Sequence, residues 1–273
     1  MRGTTPLASD YGEAYVRWEG TRATLFLNGV ESSCIDTADP RHLEFEYMQH
    51  FTCVLDAAFD PDKPLQALHL GAAACALPWA WSVSRPASRH VAVEIDQALA
   101  AAVREEFELP RAPQLRIRVG EARQVLDSTR PASKDVIIRD AFMAGLVPEH
   151  LTTVEYARVA AQVLGHGGVL MTNAGHGGGA DARPELAALR EVFPHVCAVI
   201  DPKVGHSGRR GNVVFIGSSL PLPTDEIDRN LRRLPLPARL WHGQDLVRFQ
   251  AGSRPRTDQE CGWGSDTPPD PAA

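Results

Sequence analysis

From residue 65 to residue 173 the chain alternates short apolar runs with helix-patterned segments, and this alternation most limits what it can fold into. The runs are LQALHLG (65–71), HVAVEID (90–96), LRIRVG (115–120), DVIIRD (135–140) and GGVLMTN (167–173). Between them stand ALPWAWSV, QALAAAVREEFEL, EARQVLDS and PEHLTTVEYARVAAQVLG, each able to form a helix. Strands apolar on both faces need cover on both faces, so the expectation is an α/β fold with a mostly parallel sheet between helices. HVCAVIDP and GNVVFIGS, joined by KVGHSGRR (203–210), read as a closing strand pair with an antiparallel member.

Upstream, residues 13–30 read as two short strands turning at EGT, and residues 41–59 as a helix that starts near Asp39-Pro40. Downstream, proline-rich sequence carries one short helix, and the polar, Pro/Gly-rich residues from 251 onward read as a loosely ordered tail. The expected organisation is a small β-domain (1–40), a connecting helix (41–63), a Rossmann-like domain (64–220), an extension (221–250) and a flexible tail (251–273).

Composition narrows the function. A net charge of −6 argues against a nucleic-acid partner. No run approaches the roughly 20 apolar residues of a membrane span. The first residues lack the apolar core of a secretory signal, so a cytoplasmic location is expected. Five scattered cysteines, without paired spacing, fit reduced thiols and offer no metal site.

Ligands of open parallel sheets bind outside the carboxyl ends of the strands. Those ends present Gly71 and Ala72, then Glu94 and Asp96, then Gly120, Glu121 and Ala122, then Asp140 and Ala141. A carboxylate ending the second strand can accept both ribose hydroxyls of a nucleoside, about 20 residues after the first turn. The plain alternatives are a turn at Gly71 and a helix N-cap at Asp96. The set taken together favours a nucleoside site.

The order LFLNGVESS, LEFEYMQH, LHLGAAAC, VAVEID, VGEAR, DVIIRDAF and VPEHLTT through GGVLMTN resembles spermidine synthase and its relatives, over residues 13 to 218. The resemblance implies a class I methyltransferase fold, with a seven-stranded sheet behind a small N-terminal β-domain, and a homodimer. It implies an S-adenosylmethionine-type co-substrate, intact or decarboxylated, and a small-molecule acceptor. Glu94 matches the ribose-binding Glu, Glu121 stands for the adenine-reading Asp, and Asp140 matches the first Asp of the D-x-x-D-P motif. Glu46 and His50 match a helix motif of type H-E-M-x-x-H. With Asp140 and Tyr156 they are the candidate catalytic residues.

Two departures bear on the acceptor. The loop of type GGGDGG reads Gly71 to Ala76 here, with Ala74 at the Asp that holds the aminopropyl amine. Met143 stands at the Asp that takes the attacking amine's proton. A protonated polyamine needs both carboxylates, because a buried unpaired ammonium costs several kcal/mol. Three readings stay open: alkyl transfer to an acceptor other than putrescine, true aminopropyl transfer, and a non-catalytic nucleoside-binding homologue.

Overall fold

The computed structural model describes residues 3–201, 204 and 209–264. Most of the expected connection 203–210 and the last part of the expected tail lie outside the described residues. An antiparallel meander comes first: β1 (Thr4–Leu7), β2 (Ala14–Glu19), β3 (Arg22–Leu27) and β4 (Val30–Asp36). β2 and β3 pair as expected across Gly20-Thr21. β4, not anticipated, follows Asn28-Gly29, whose positive φ angles of 50° and 78° are those of a type I′ hairpin turn.

Helix α1 spans Glu46–Ala58 and starts later than expected. Residues 39–42 form a turn in which Asp39 accepts from the Arg41 backbone N–H, while the His42 N–H reaches the Asp39 carbonyl. Met48, Phe51, Val54 and Leu55 make its buried stripe.

Then come β5 (Gln66–Leu70), α2 (Ala76–Ser84), β6 (Arg89–Glu94), α3 (Gln97–Glu106), β7 (Leu115–Val119), α4 (Ala122–Asp127), β8 (Lys134–Arg139), α5 (Val154–Val163), β9 (Leu164–His176), α6 (Arg183–Val192), β10 (His195–Ile200) and β11 (Gly211–Ser218). α7 (Thr224–Leu231), β12 (Leu240–His242) and α8 (Gln244–Gln250) complete the order. The sheet runs β12-β10-β11-β9-β8-β5-β6-β7. β9, β8, β5, β6 and β7 are mutually parallel, and β11 enters antiparallel between β9 and β10. The sheet has eight strands rather than seven, because β12 adds to the outer edge of β10.

One core joins the meander to α1, α2, α3 and α7 on one face of this sheet. A second core packs α4, α5, α6 and α8 on the other. Pro78 is tolerated in the first turn of α2, where backbone N–H groups lack helical partners anyway. Among the described residues, no helix is long and apolar enough to cross a membrane.

The tail differs from expectation. Residues 251–264 are not loose: the Val154 N–H donates to the Arg256 carbonyl (3.0 Å), and Asp258 makes a two-pronged bond to Arg123 (3.0 and 2.8 Å).

Candidate functional site

β5 is flanked by β8 on one side and β6 on the other, so successive connections leave in opposite directions, and a crevice forms beyond the strand ends. Gly71 stands at that point with φ +96°. A Cβ there would overlap the Asp140 carbonyl, so glycine alone lets the ends of β5 and β8 meet. The Asp140 N–H completes the contact on the Leu70 carbonyl at 2.8 Å.

The loop after Gly71 bends through two left-handed residues with side chains, Ala73 (φ +44°) and Cys75 (φ +62°). Its N–H groups converge on the Glu94 carboxylate. Oε2 accepts from Ala73 at 2.9 Å and from Ala72 at 3.4 Å, and Oε1 accepts from the Asp96 N–H at 3.1 Å. Successive amides around one anion form a nest. Burial pushes the Glu94 carboxyl up from the ordinary range, and these amides draw it part of the way back. Ala74 points into the core, 1% exposed. Cys75 is buried beside it, its thiol pushed up to about 12 by burial.

Asp96 is engaged elsewhere. It caps α3 through the Leu99 N–H (2.8 Å) and accepts from the Ser9 hydroxyl (2.6 Å) and the Asp10 N–H. Burial opposes its charge, yet these donors hold the carboxyl below its usual value. Gly120 ties β7 to β6 through its N–H on the Glu94 carbonyl (2.9 Å). Glu121 caps α4 through the Gln124 N–H (2.8 Å), and its other oxygen lies 2.9 Å from His150 Nε2. Burial works against that charge too, but His150 and the first amides of α4, where Ala122 is buried, outweigh it.

Asp140 is half-buried and accepts from two side chains at 2.9 Å: the Tyr47 hydroxyl from α1 and the Asn173 amide from β9. Burial raises the Asp140 carboxyl, and Asn173, Tyr47 and the charge of Arg139 partly counter it. The Tyr47 hydroxyl is held well above its ordinary range by burial and by the Asp140 charge, so it stays a donor. The Asn173 side-chain oxygen Oδ1 is buried without a partner among the described residues. Arg139 braces the same strand ends: fully buried, it donates to the Asn173 backbone carbonyl and to Glu185 of α6, which also accepts from Thr172 (2.6 Å).

Among the described residues, no hydrogen bond or ion pair joins the other expected catalytic residues to Asp140. Glu46 is exposed. His50 is half-buried, its imidazole lowered to about 4 by burial. Tyr156 is a core residue, 1% exposed, its hydroxyl without a partner among the described residues. From α1 it is Tyr47 that arrives, a position the apolar spacing reads only as core. Asn173 closes a strand that reads as wholly buried, and nothing in its local sequence marks it.

Beyond Asp140 and Ala141, Met143 and Leu146 exchange backbone bonds (2.8 and 3.0 Å) around Ala144 and Gly145, both with positive φ. This tight turn leaves Phe142 40% and Leu146 55% exposed. The Arg210 guanidinium lies against Gly145 and its stem against Gly178.

No family model matches the chain. A segment of 117 residues is 31% identical to the polyamine aminopropyltransferase of Vibrio vulnificus (strain CMCP6), covering 42% of this chain and 39% of that relative's length. A probable spermidine synthase from Corynebacterium glutamicum ATCC 13032 superposes with a TM-score of 0.88 at 33% identity, over 98% of this chain and 100% of that one. The chain belongs to the spermidine synthase-like family. Human methyltransferase-like protein 13, solved with SAH, shares the fold at a TM-score of 0.57 and 19% identity, over 78% of this chain and 96% of that one.

Proposed function

We propose that this member of the spermidine synthase-like family is a transferase. It takes an S-adenosylmethionine-type nucleoside, intact or decarboxylated, and passes an alkyl group to a small-molecule acceptor other than ordinary putrescine. The observation that carries the reading is the set of Glu94, Glu121 and Asp140 at three strand ends around Gly71. A carboxylate has about four acceptor positions. Three amides use those of Glu94, the Ala72 bond being the longest at 3.4 Å. One ribose hydroxyl fits the open position on Oε1, and the other displaces the Ala72 amide. The SAH bound to the human methyltransferase-like neighbour supports this ligand class.

A sulfonium is a good leaving group, so transfer needs chiefly an acceptor held in line with the breaking bond. Asp140 suits proton removal from that acceptor, because burial raises its basicity while Tyr47 and Asn173 fix its direction. Ala74, Met143, exposed Phe142 and Leu146, and the Arg210 guanidinium give a polycation little to pair with. They suit a thiol, a neutral amine or a carboxylate. The names of the Vibrio and Corynebacterium relatives favour a second reading, aminopropyl transfer to a diamine. The proposal includes a cytoplasmic homodimer joined through the N-terminal β-domain and its flanking helix.

Calorimetry with 5′-methylthioadenosine on the wild type and on Glu94→Gln tests the nucleoside reading. The wild type binds, and the variant loses about 2 kcal/mol, roughly thirtyfold, through one charge-assisted interaction. Equal affinities would assign Glu94 a structural role, and binding of no adenosyl compound would sink the proposal.

A further inference from the structure

The C-terminal segment docks on the strand end that carries Glu121. Three kinds of contact hold it. Asp258 takes two bonds from Arg123 (3.0 and 2.8 Å) and one from the Thr153 hydroxyl (2.6 Å), while its own N–H donates to Glu155 (2.9 Å). The Arg256 carbonyl receives the first N–H of α5. Trp263 stacks on His150 with ring centroids 4.3 Å apart and planes 5° from parallel, and Arg123 approaches the same indole at 5.9 Å. His150 in turn meets Glu121 at 2.9 Å.

We infer that residues 254–264 form the outer wall of the base end of the nucleoside site. Within it, Trp263 and His150 are positioning residues that aim the Glu121 carboxylate at the exocyclic amine of a 6-aminopurine. The inference rests on the nucleoside reading above. Glu121 carries one more methylene than the Asp expected at its place, and so has one more torsion to fix. The Gln124 amide holds one oxygen and His150 the other, which leaves one acceptor position free on each. His150 can hold that direction only while its own ring is held, and the indole lies flat against it. Without the stack, Glu121 keeps its cap on α4 but loses its second anchor. The site then reads the base less sharply while still binding the sugar.

The preference between 5′-methylthioadenosine and 5′-methylthioinosine isolates this role. The inosine base presents an oxygen where the adenine base presents an amine, and an oxygen facing a fixed carboxylate is rejected. Calorimetry is run with both nucleosides on wild type, Trp263→Ala, Trp263→Phe and His150→Ala. The wild type prefers the adenine form, and each alanine variant narrows that preference by roughly tenfold, the scale of one charge-assisted hydrogen bond. Affinity for the inosine form changes less than about twofold, and Trp263→Phe, which keeps a flat ring, restores the preference. An undiminished preference in both alanine variants overturns the positioning role, as does an equal loss of affinity for both nucleosides. A wild type that binds neither nucleoside removes the nucleoside reading itself and this role with it.

Discussion

The two halves of the sheet edge handle charge in opposite ways. Around Glu94 and Glu121 the chain keeps its carboxylates and surrounds them with donors: Ala72, Ala73 and Asp96 for one, Gln124 and His150 for the other. Around the loops that follow β5 and β8, the two positions where the family resemblance implies a carboxylate for a cation hold Ala74, sealed in the core, and Met143, in a tight turn beside exposed Phe142 and Leu146. Asp140 stands between, its side chain already held by Tyr47 and Asn173. On the proposed reading, groups suited to a neutral sugar and base are retained, and groups suited to a polycation are replaced. The first needs oriented dipoles; the second needs net charge near the amine.

The sharpest way to break this comparison is to remove its pivot. Gly71→Ala would place a methyl against the Asp140 carbonyl on a backbone with φ +96°. Strain and overlap together should cost about 4 kcal/mol, visible as a large fall in the urea midpoint. A variant within 1 kcal/mol of the wild type would mean that β5 and β8 can separate freely.

A smaller effect comes from Tyr47→Phe. Losing one hydrogen bond should cost about 1 kcal/mol of stability. The larger signal is in pH. Burial raises the Asp140 carboxyl and the Tyr47 bond lowers it, so without the hydroxyl its pKa rises further. Activity that needs the carboxylate then loses its acid limb at a higher pH than in the wild type. An unmoved limb would assign that titration to another group.

Most of the architecture was legible because it follows from periodicity. Five apolar runs leave little choice but a covered parallel sheet, and they become β5 to β9, although β7, at the edge, exposes Arg116, Arg118 and Val119. β1 escaped notice because TTPL is short, polar and lies at an edge. β4 escaped although Asn28-Gly29 is a strong hairpin signal, since VESSCID alternates poorly. In the site, Glu94, Glu121 and Asp140 were legible as carboxylates at strand ends. Tyr47 was hidden within an apolar stripe, and Asn173 within a buried strand. The Trp263–His150 stack joins residues more than a hundred positions apart, inside a segment whose composition resembles disorder. Composition reports how much apolar surface a segment offers; it does not report that Arg123 waits for Asp258.

The central claim is that the nucleoside half of this edge is kept while the polyamine half is lost. One measurement tests it directly: incubation with decarboxylated S-adenosylmethionine and putrescine, followed by mass spectrometry for spermidine and methylthioadenosine. The account predicts bound nucleoside and no spermidine above the uncatalysed level. Stoichiometric formation of both products at an enzymatic rate would contradict it.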